Sequence, residues 1–295
     1  VHSYKFIVNP VAGNGKANKL LPVIKERFKN AGVDFDIYLT RRPGDAIEAA
    51  AKGAREGFSV MVAVGGDGTV NEVLNGIVGT EARLAALPGG KGNDFATAVQ
   101  MSRDIESACD DLLRAEIKKI DLGRVLGRYF INSVGVGFDA AVAQRANRGV
   151  KFFNGVSAYV YAFFETLFTY EFVEAEIDLG NGAVRTTPIL VAVGIGQAYG
   201  GGMRIVPDAI QDDGLFDICV FEKISRPEMV YHFPKVFSGK LKHVKHAGMF
   251  RAREVKLSLN KKRPLHMEGE IFVGDEMHFT LQQRAIPVIT GTNRR

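Results

Sequence analysis

The residues best suited to chemistry lie in Gly65-Gly66-Asp67-Gly68-Thr69-Val70-Asn71-Glu72, a glycine-rich turn between the apolar run Val60 to Val64 and an apolar-periodic helical segment. Glycines in such a turn let backbone N–H groups approach an anion closely, and the following helix N-terminus adds a favourable dipole. Polyphosphate is the natural ligand. Thr69 and Asn71 add side-chain hydrogen-bonding groups. The plain alternative is a tight turn whose glycines need positive φ. Asp67 is the acid placed to hold a catalytic magnesium ion or to orient an acceptor; its plain alternative is a helix N-terminal acid stabilised by the dipole.

Two other loops have the same character: Asn9-Pro10-Val11-Ala12-Gly13-Asn14-Gly15-Lys16, and Pro88-Gly89-Gly90-Lys91-Gly92-Asn93-Asp94-Phe95-Ala96. Each follows a strand signal. In an open α/β sheet the loops at the carboxyl ends of strands line the ligand crevice, so loops after the first, third and fourth strands can converge on one nucleotide.

The elements that must position these loops are read from periodicity. Over the first ~125 residues strand and helix signals alternate, as in parallel βαβ units. Lys5 to Val8 is a strand. Lys19 to Ala31 has a helical apolar spacing, with Pro22 in its first turn and Gly32 as its stop. Val33 to Leu39 alternates as a half-buried strand, and a helix starts at Asp45, where Asp45 and Glu48 have the spacing of a capping box. Val60 to Val64 reads as a central strand covered on both faces. After Ile120 the pattern changes to two-residue alternation with Gly-rich turns, as in Val173 to Leu179, Gly180 to Gly182 and Thr186 to Val193. Helical stretches at Asp139 to Asn147, Val156 to Thr166 and after Pro227 interrupt it. The expected architecture is therefore an α/β N-terminal domain with an open parallel sheet, residues 1–124, and an antiparallel β-rich domain, residues 125–283. The strand Ile286 to Ile289 suits either domain, so segment 284–295 can return to the first.

Composition narrows the class. The chain has 295 residues, 46% hydrophobic and 24% charged, with mean hydropathy 0.00, which excludes disordered, fibrous and collagenous chains. Its net charge of +5 and pI near 9.1 favour an anionic partner. Cys109 and Cys219 stand far apart in no metal-ligand pattern, so a reduced cytoplasmic chain is expected. The Val1 to Asn9 stretch lacks the pattern of a signal peptide. Val156 to Phe172, the most apolar long stretch, is broken by Glu165 and Glu171, so membrane contact is expected to be peripheral. Negative checks narrow it further. Gly15-Lys16, Gly90-Lys91 and Gly239-Lys240 are followed by Ala17, Gly92 and Leu241 rather than Ser or Thr, so no Walker A loop is present. Protein-kinase H-R-D and D-F-G segments are missing, as is G-x-G-x-x-G after the first strand.

Together, GGDGTVNEV, the N-P-x-A-G start and the P-G-G-x-G-N-D-F-A loop resemble the diacylglycerol kinase catalytic domain, specifically the bacterial diacylglycerol and lipid kinases related to sphingosine kinase. Further matches are Gly200-Gly201-Gly202-Met203, Pro207, Asp213-Gly214-Leu215-Phe216-Asp217 and Glu268-Gly269-Glu270. GGDG alone is shared with the NAD kinases. The resemblance implies ATP as donor, a lipid hydroxyl as acceptor, and nucleotide contacts at Asn9, Thr40, Gly65, Gly66, Asp67, Gly68, Thr69, Val70, Asn71 and Lys91. It also implies a magnesium ion (Mg2+) at the Asp213 carboxylate with the carbonyls of Ile210 and Leu215, where the plain reading is an ordinary Asp-Gly turn.

Two departures from the family pattern stand out. The general base of the family is the Asp of a D-G-E triplet, and the matching residue here is Glu268, one methylene longer. Lys91 stands where the family usually has Thr; it can neutralise phosphate charge or pair with Asp67 or Asp94. Phosphoryl transfer asks little covalent help of a protein, chiefly alignment and positive charge around the moving phosphate.

One stretch bears on the partner. Residues 235–263 contain ten Lys or Arg and one acid, Glu254, a local +9, with Phe233, Phe237, Met249 and Phe250 beside them. An anionic lipid surface suits this stretch; its plain alternative is a set of solvated charges on several sides. No nucleic-acid recognition module is visible, and a homodimer is left open. The reading is an ATP- and magnesium-dependent lipid kinase acting on diacylglycerol or a similar lipid at the membrane surface. Its rivals are an NAD kinase and a nucleotide- or lipid-binding homologue with weak or no turnover.

Overall fold

The computed structural model describes residues 2–148 and 156–292. The chain divides into two units, Val1–Leu122 with Arg284–Arg295, and Gly123–Gln283.

The first unit alternates strands and helices: β1 Ser3–Val8, α1 Ala12–Asn30, β2 Asp34–Leu39, α2 Asp45–Arg55, β3 Val60–Gly65, α3 Asp67–Ile77, β4 Arg83–Pro88, α4 Asp94–Ala98, α5 Ile105–Arg114 and β5 Glu116–Val125. Crossover helices force parallel pairing. β1 pairs with β2 and β3, and β3 with β4, all parallel. Every residue of β3 is buried, as a strand covered on both faces requires. On one face of the sheet Phe28 of α1 meets Tyr4 and Phe6 of β1 edge-to-face at 4.9 and 4.8 Å, an arrangement that suits the ring quadrupoles.

Two local expectations are corrected. The first helix begins at Ala12 rather than Lys19, because Gly13, Asn14 and Gly15 are all left-handed (φ 59, 59 and 84°) and form a turn of opposite hand that runs into the regular helix; Pro22 therefore lies inside the helix. The capping box at Asp45 and Glu48 is absent. The N-cap is left-handed Gly44, which has no side chain to cap with. Glu72 of α3 takes that role instead, its two oxygens accepting from the N–H groups of Gly44 (3.0 Å) and Ala46 (3.1 Å).

The second unit contains β6 Arg128–Phe130, β7 Ser133–Gly137, α6 Phe138–Asn147, α7 Val156–Thr169, β8 Ala175–Asp178, β9 Ala183–Thr186, β10 Pro188–Gly194, β11 Phe216–Glu222, α8 Arg226–His232, α9 Lys235–Ser238, a 3-10 turn Lys240–His243, β12 Ala247–Ala252, β13 Glu254–Met267 and β14 Glu270–Thr290. Its strands run antiparallel in the order β12-β11-β10-β7-β13-β14. Thr186 to Val193 is two strands, β9 and β10, not one. Strand alternation builds a core on each face of this sheet. Val191, Val193, Ile218 and Val220 enter one core, while Leu190, Ala192, Cys219 and Phe221 enter the other, beneath α6, α7 and α8. β10 is consequently buried at every position although its neighbours are antiparallel. No helix among the described residues is long and apolar enough to cross a membrane.

Candidate functional site

In the first unit the three glycine-rich loops meet, and the glycines are what lets them meet. A Cβ on Gly90 would lie 2.3 Å from Cα of Gly66 and 2.6 Å from its nitrogen, and a Cβ on Gly13 would lie 2.4 Å from the Gly89 carbonyl oxygen. The Gly89 N–H donates to the Gly65 carbonyl at 3.0 Å, so the loops after β3 and β4 leave the sheet side by side. Asn9 is tied in by its N–H to the Val64 carbonyl (3.0 Å) and Thr40 by its N–H to the Val8 carbonyl (2.9 Å). The result is a backbone-walled junction at the carboxyl edge of the parallel strands. No side chain caps α3, so its first N–H groups are available to an anion.

Asp67 has a second job that its position in the motif does not reveal. Its two oxygens accept from the N–H groups of Phe95 (2.9 Å) and Asp94 (3.1 Å), capping α4 and clamping the 88–96 loop to the GGDGT turn. Burial pushes its carboxyl above the usual range, and these backbone N–H groups pull against that shift. Within the loop, Asn93 closes the turn on itself: its side chain accepts from the Gly90 N–H and donates to the Gly90 carbonyl, each at 3.0 Å. Lys91 is exposed at the tip. The alternative pairings with Asp67 or Asp94 are not made; among the described residues Lys91 has no ion pair, which leaves its ammonium to a ligand.

Other motif residues are placed inside. Thr69 and Val70 are buried, and Asn71 is 1% exposed with its side-chain oxygen accepting from Asn75 at 3.2 Å. The Thr69 hydroxyl packs where a Cβ of Gly65 would be, at 2.4 Å. Glu72, which the sequence reading passed over, caps α2; Asp45, 5% exposed, accepts from the Arg41 N–H at 2.7 Å. Together they fix the 40–45 loop that carries Thr40. Their signal in the sequence is only an acid one helical turn into α3 and another beginning α2.

In the second unit Glu268 and Gly269 are both left-handed (φ 52 and 93°), and Met267 pairs with Glu270. That is the two-residue hairpin turn with positive φ at both positions, which favours Asp or Asn at the first. Glu268 is 4% exposed, and its Oε1 accepts from the N–H groups of Ile131 and Asn132, each at 2.6 Å. Charge-assisted bonds of this kind hold the carboxylate in one place. Two residues earlier, His266 Nε2 lies 2.8 Å from the Asp139 carboxylate, which also accepts from the Tyr199 hydroxyl at 2.8 Å. Gly135 makes the space, since a Cβ there would fall 1.9 Å from that Asp139 oxygen.

At the metal site expected at Asp213, Ile210 and Leu215, the acid is engaged within the chain. The Asp213 Oδ1 accepts from the Leu215 N–H at 3.1 Å, the Asx form of an Asp-Gly turn, and its Oδ2 is ion-paired with Arg251. Arg251 stands opposite Asp217 across β11 and β12 and also lies 3.5 Å from its carboxylate. Burial raises the Asp217 carboxyl above its usual range, and the Arg251 charge opposes the rise. The guanidinium thus already supplies positive charge to both acids. Among the described residues no group of three or more His, Cys, Asp or Glu is placed to hold a metal. Without nucleotide, thermal unfolding is expected to be the same in magnesium and in chelator, whereas Arg251→Ala is expected to unfold at lower temperature in chelator. A wild-type midpoint that rises with magnesium would refute the assignment.

The fold is an α/β unit with a parallel sheet joined to an antiparallel β-rich unit, and comparison with known proteins places it. Residues 3–125 match the diacylglycerol kinase catalytic domain, and residues 132–290 match the YegS C-terminal NAD kinase beta sandwich-like domain. The chain belongs to the diacylglycerol kinase family. A diacylglycerol kinase from Bacillus subtilis is 31% identical over 269 residues, covering 90% of this chain and 89% of that one. One from Staphylococcus saprophyticus is 30% identical over 270 residues, covering 90% and 88%. A crystal structure of a diacylglycerol kinase from Bacillus anthracis shares the fold with TM-score 0.76 at 22% identity, covering 98% of this chain and 97% of that one.

Proposed function

We propose that this kinase transfers the γ-phosphoryl group of ATP to a hydroxyl of diacylglycerol or a similar lipid. The observation that carries the reading is the glycine junction of Gly13, Gly66, Gly89 and Gly90, where three loops approach through backbone atoms too closely for a Cβ, in a member of the diacylglycerol kinase family. Backbone N–H groups there cradle phosphate oxygens, and the exposed Lys91 adds a point charge. Magnesium arriving with the nucleotide supplies further neutralisation of phosphate charge. Asp67 suits that ion: its two hydrogen bonds use about half of the roughly four acceptor sites of a carboxylate. Glu268 takes the proton of the acceptor hydroxyl, oriented by the Ile131 and Asn132 N–H groups.

The test is transfer of labelled γ-phosphate from ATP, with magnesium, to a panel of lipids in mixed micelles, with NAD in parallel. Label in a lipid product is expected, and it names the acceptor. Label only in NADP would replace the reading with that of an NAD kinase. ATP binding without any transfer would make this a binding homologue.

A further inference from the structure

The Glu268-Gly269 turn carries the proposed base, and its backbone is not one that Glu adopts by preference, since the left-handed region at φ 52° crowds a Cβ. Groups outside the turn must therefore keep it there. The N–H groups of Ile131 and Asn132 hold the end of the side chain, and the backbone is held from α6. At the far end of that helix the Asn147 side chain donates to the Gly269 carbonyl at 3.2 Å. At its near end Asp139 accepts at 2.8 Å from Nε2 of His266, which lies on β13 two residues before Glu268. A carboxylate only accepts, so the imidazole carries a proton on Nε2. The helix is itself braced against α7: Phe138 meets Phe163 and Tyr170 edge-to-face, each at 5.4 Å, and Arg145 is ion-paired with Glu165 at 2.8 Å.

Packing alone does not call for a polar cluster here. The Asp139 carboxylate also accepts from the Tyr199 hydroxyl at 2.8 Å, and the Tyr199 ring lies 4.6 Å from that of His266. Both rings are buried, and Tyr199 belongs to the apolar core of Phe138, Val142, Ala192 and Val206. Apolar side chains of similar volume would fill such a space with equal or greater stability. The chain instead makes room for the pair with Gly135, opposite His266, where a Cβ would lie 1.9 Å from Asp139 Oδ2 and 2.3 Å from His266 Nε2. Burial, and then the Asp139 charge, push the Tyr199 hydroxyl well above its usual range, so it stays a donor. What a satisfied network of this kind fixes is position. Pairing of His266 with Gly135 and of Met267 with Val134 brings the end of β13 alongside the start of β7. Asn132, just before β7, supplies one of the two N–H groups on Glu268.

We propose that His266, Asp139 and Tyr199 are positioning residues for the Glu268 carboxylate, tying the end of β13 to the first turn of α6 and so fixing the point from which Glu268 takes the acceptor's proton, an inference that rests on the proposed role of Glu268 as the base. None of the three touches the acceptor or exchanges a proton with it. Their hydrogen bonds set where the carboxylate stands, and a reacting group displaced by ~1 Å loses on the order of 100-fold in rate. Glu268 also has one more rotatable bond than the aspartate of the family pattern, so more freedom has to be removed to hold it.

The test is a double-mutant cycle on kcat in the full chain, with a short-chain diacylglycerol in mixed micelles as acceptor and ATP with magnesium as donor. His266→Leu removes the donor to Asp139 and is expected to lower kcat about 10- to 100-fold, while KM for the lipid and affinity for ATP stay at wild-type values. His266→Gln, which returns an N–H near the same point, is expected to recover most of that loss. A ring that merely filled space would be replaced as well by Leu. In the Glu268→Gln background His266→Leu is expected to change kcat by less than about twofold, because no carboxylate is left to position. Tyr199→Phe removes a single hydroxyl and keeps the ring; it carries the same cycle, with a smaller expected loss, if His266→Leu does not unfold cooperatively. The inference alone is overturned if His266→Leu keeps wild-type kcat, or if it lowers kcat by the same factor with Glu268→Gln as without it. Wild-type kcat in Glu268→Gln overturns the base and the inference together.

Discussion

Glu268→Gln is expected to lower kcat by about 100- to 10,000-fold, the range for loss of a general base, with ATP affinity unchanged. Gln keeps the length of the side chain and one carbonyl oxygen for the Ile131 and Asn132 N–H groups, now bonded at 2.6 Å each, so the turn survives while the proton acceptor is lost. Steady-state kinetics with calorimetric ATP titration separates the two effects, and an unchanged kcat would assign the proton to another group. Glu268→Asp asks a different question. Asp suits the left-handed first position of this turn (φ 52°) better than Glu does, yet it draws the carboxylate back by roughly 1 Å, a shift to which near-attack geometry is sensitive. A higher thermal midpoint with lower kcat is the expected pair of results. Faster turnover than wild type would show that the longer side chain limits this enzyme.

Gly90→Ala is expected to weaken ATP binding at least about 100-fold, the scale of a ~1 Å displacement at a preorganised site. The backbone at Gly90 is not among those with positive φ, so the loss is one of space alone. Its new methyl group would sit 2.3 Å from Gly66 Cα and 2.9 Å from the Gly92 carbonyl oxygen. These are backbone atoms with no rotamer to escape into, and the loops after β3 and β4 must part. Lys91→Ala next to it is the control, because it removes one exposed charge and leaves the walls in contact; a smaller loss of affinity is expected there. Calorimetry with ATP measures both variants. ATP binding at wild-type strength in Gly90→Ala would remove the junction from the nucleotide site.

The sequence by itself determined whatever depends on neighbours along the chain. Alternating strand and helix signals implied a parallel sheet, and three Gly-rich segments after strands implied loops that converge. Both follow from local backbone preference and from the rule that crossovers place such loops at one edge. The Glu268-Gly269 turn was also local, as a pair of residues between two strands. Tertiary structure alone decided which charges are spent and on what. Asp67 caps a helix 27 residues away, Glu72 caps one 26 residues back, and Arg251 stands where an ion was expected because β11 and β12 bring it opposite Asp217. The basic run 235–263 illustrates the same limit. Four of its ten charges find acids in distant segments, Lys242 at Asp208, Arg251 at Asp213 and Asp217, and Lys261 and Arg263 at Glu171. Periodicity fixes the direction of a side chain relative to its own element, but its partner is set by which elements the hydrophobic core draws together, and that is a property of the whole fold.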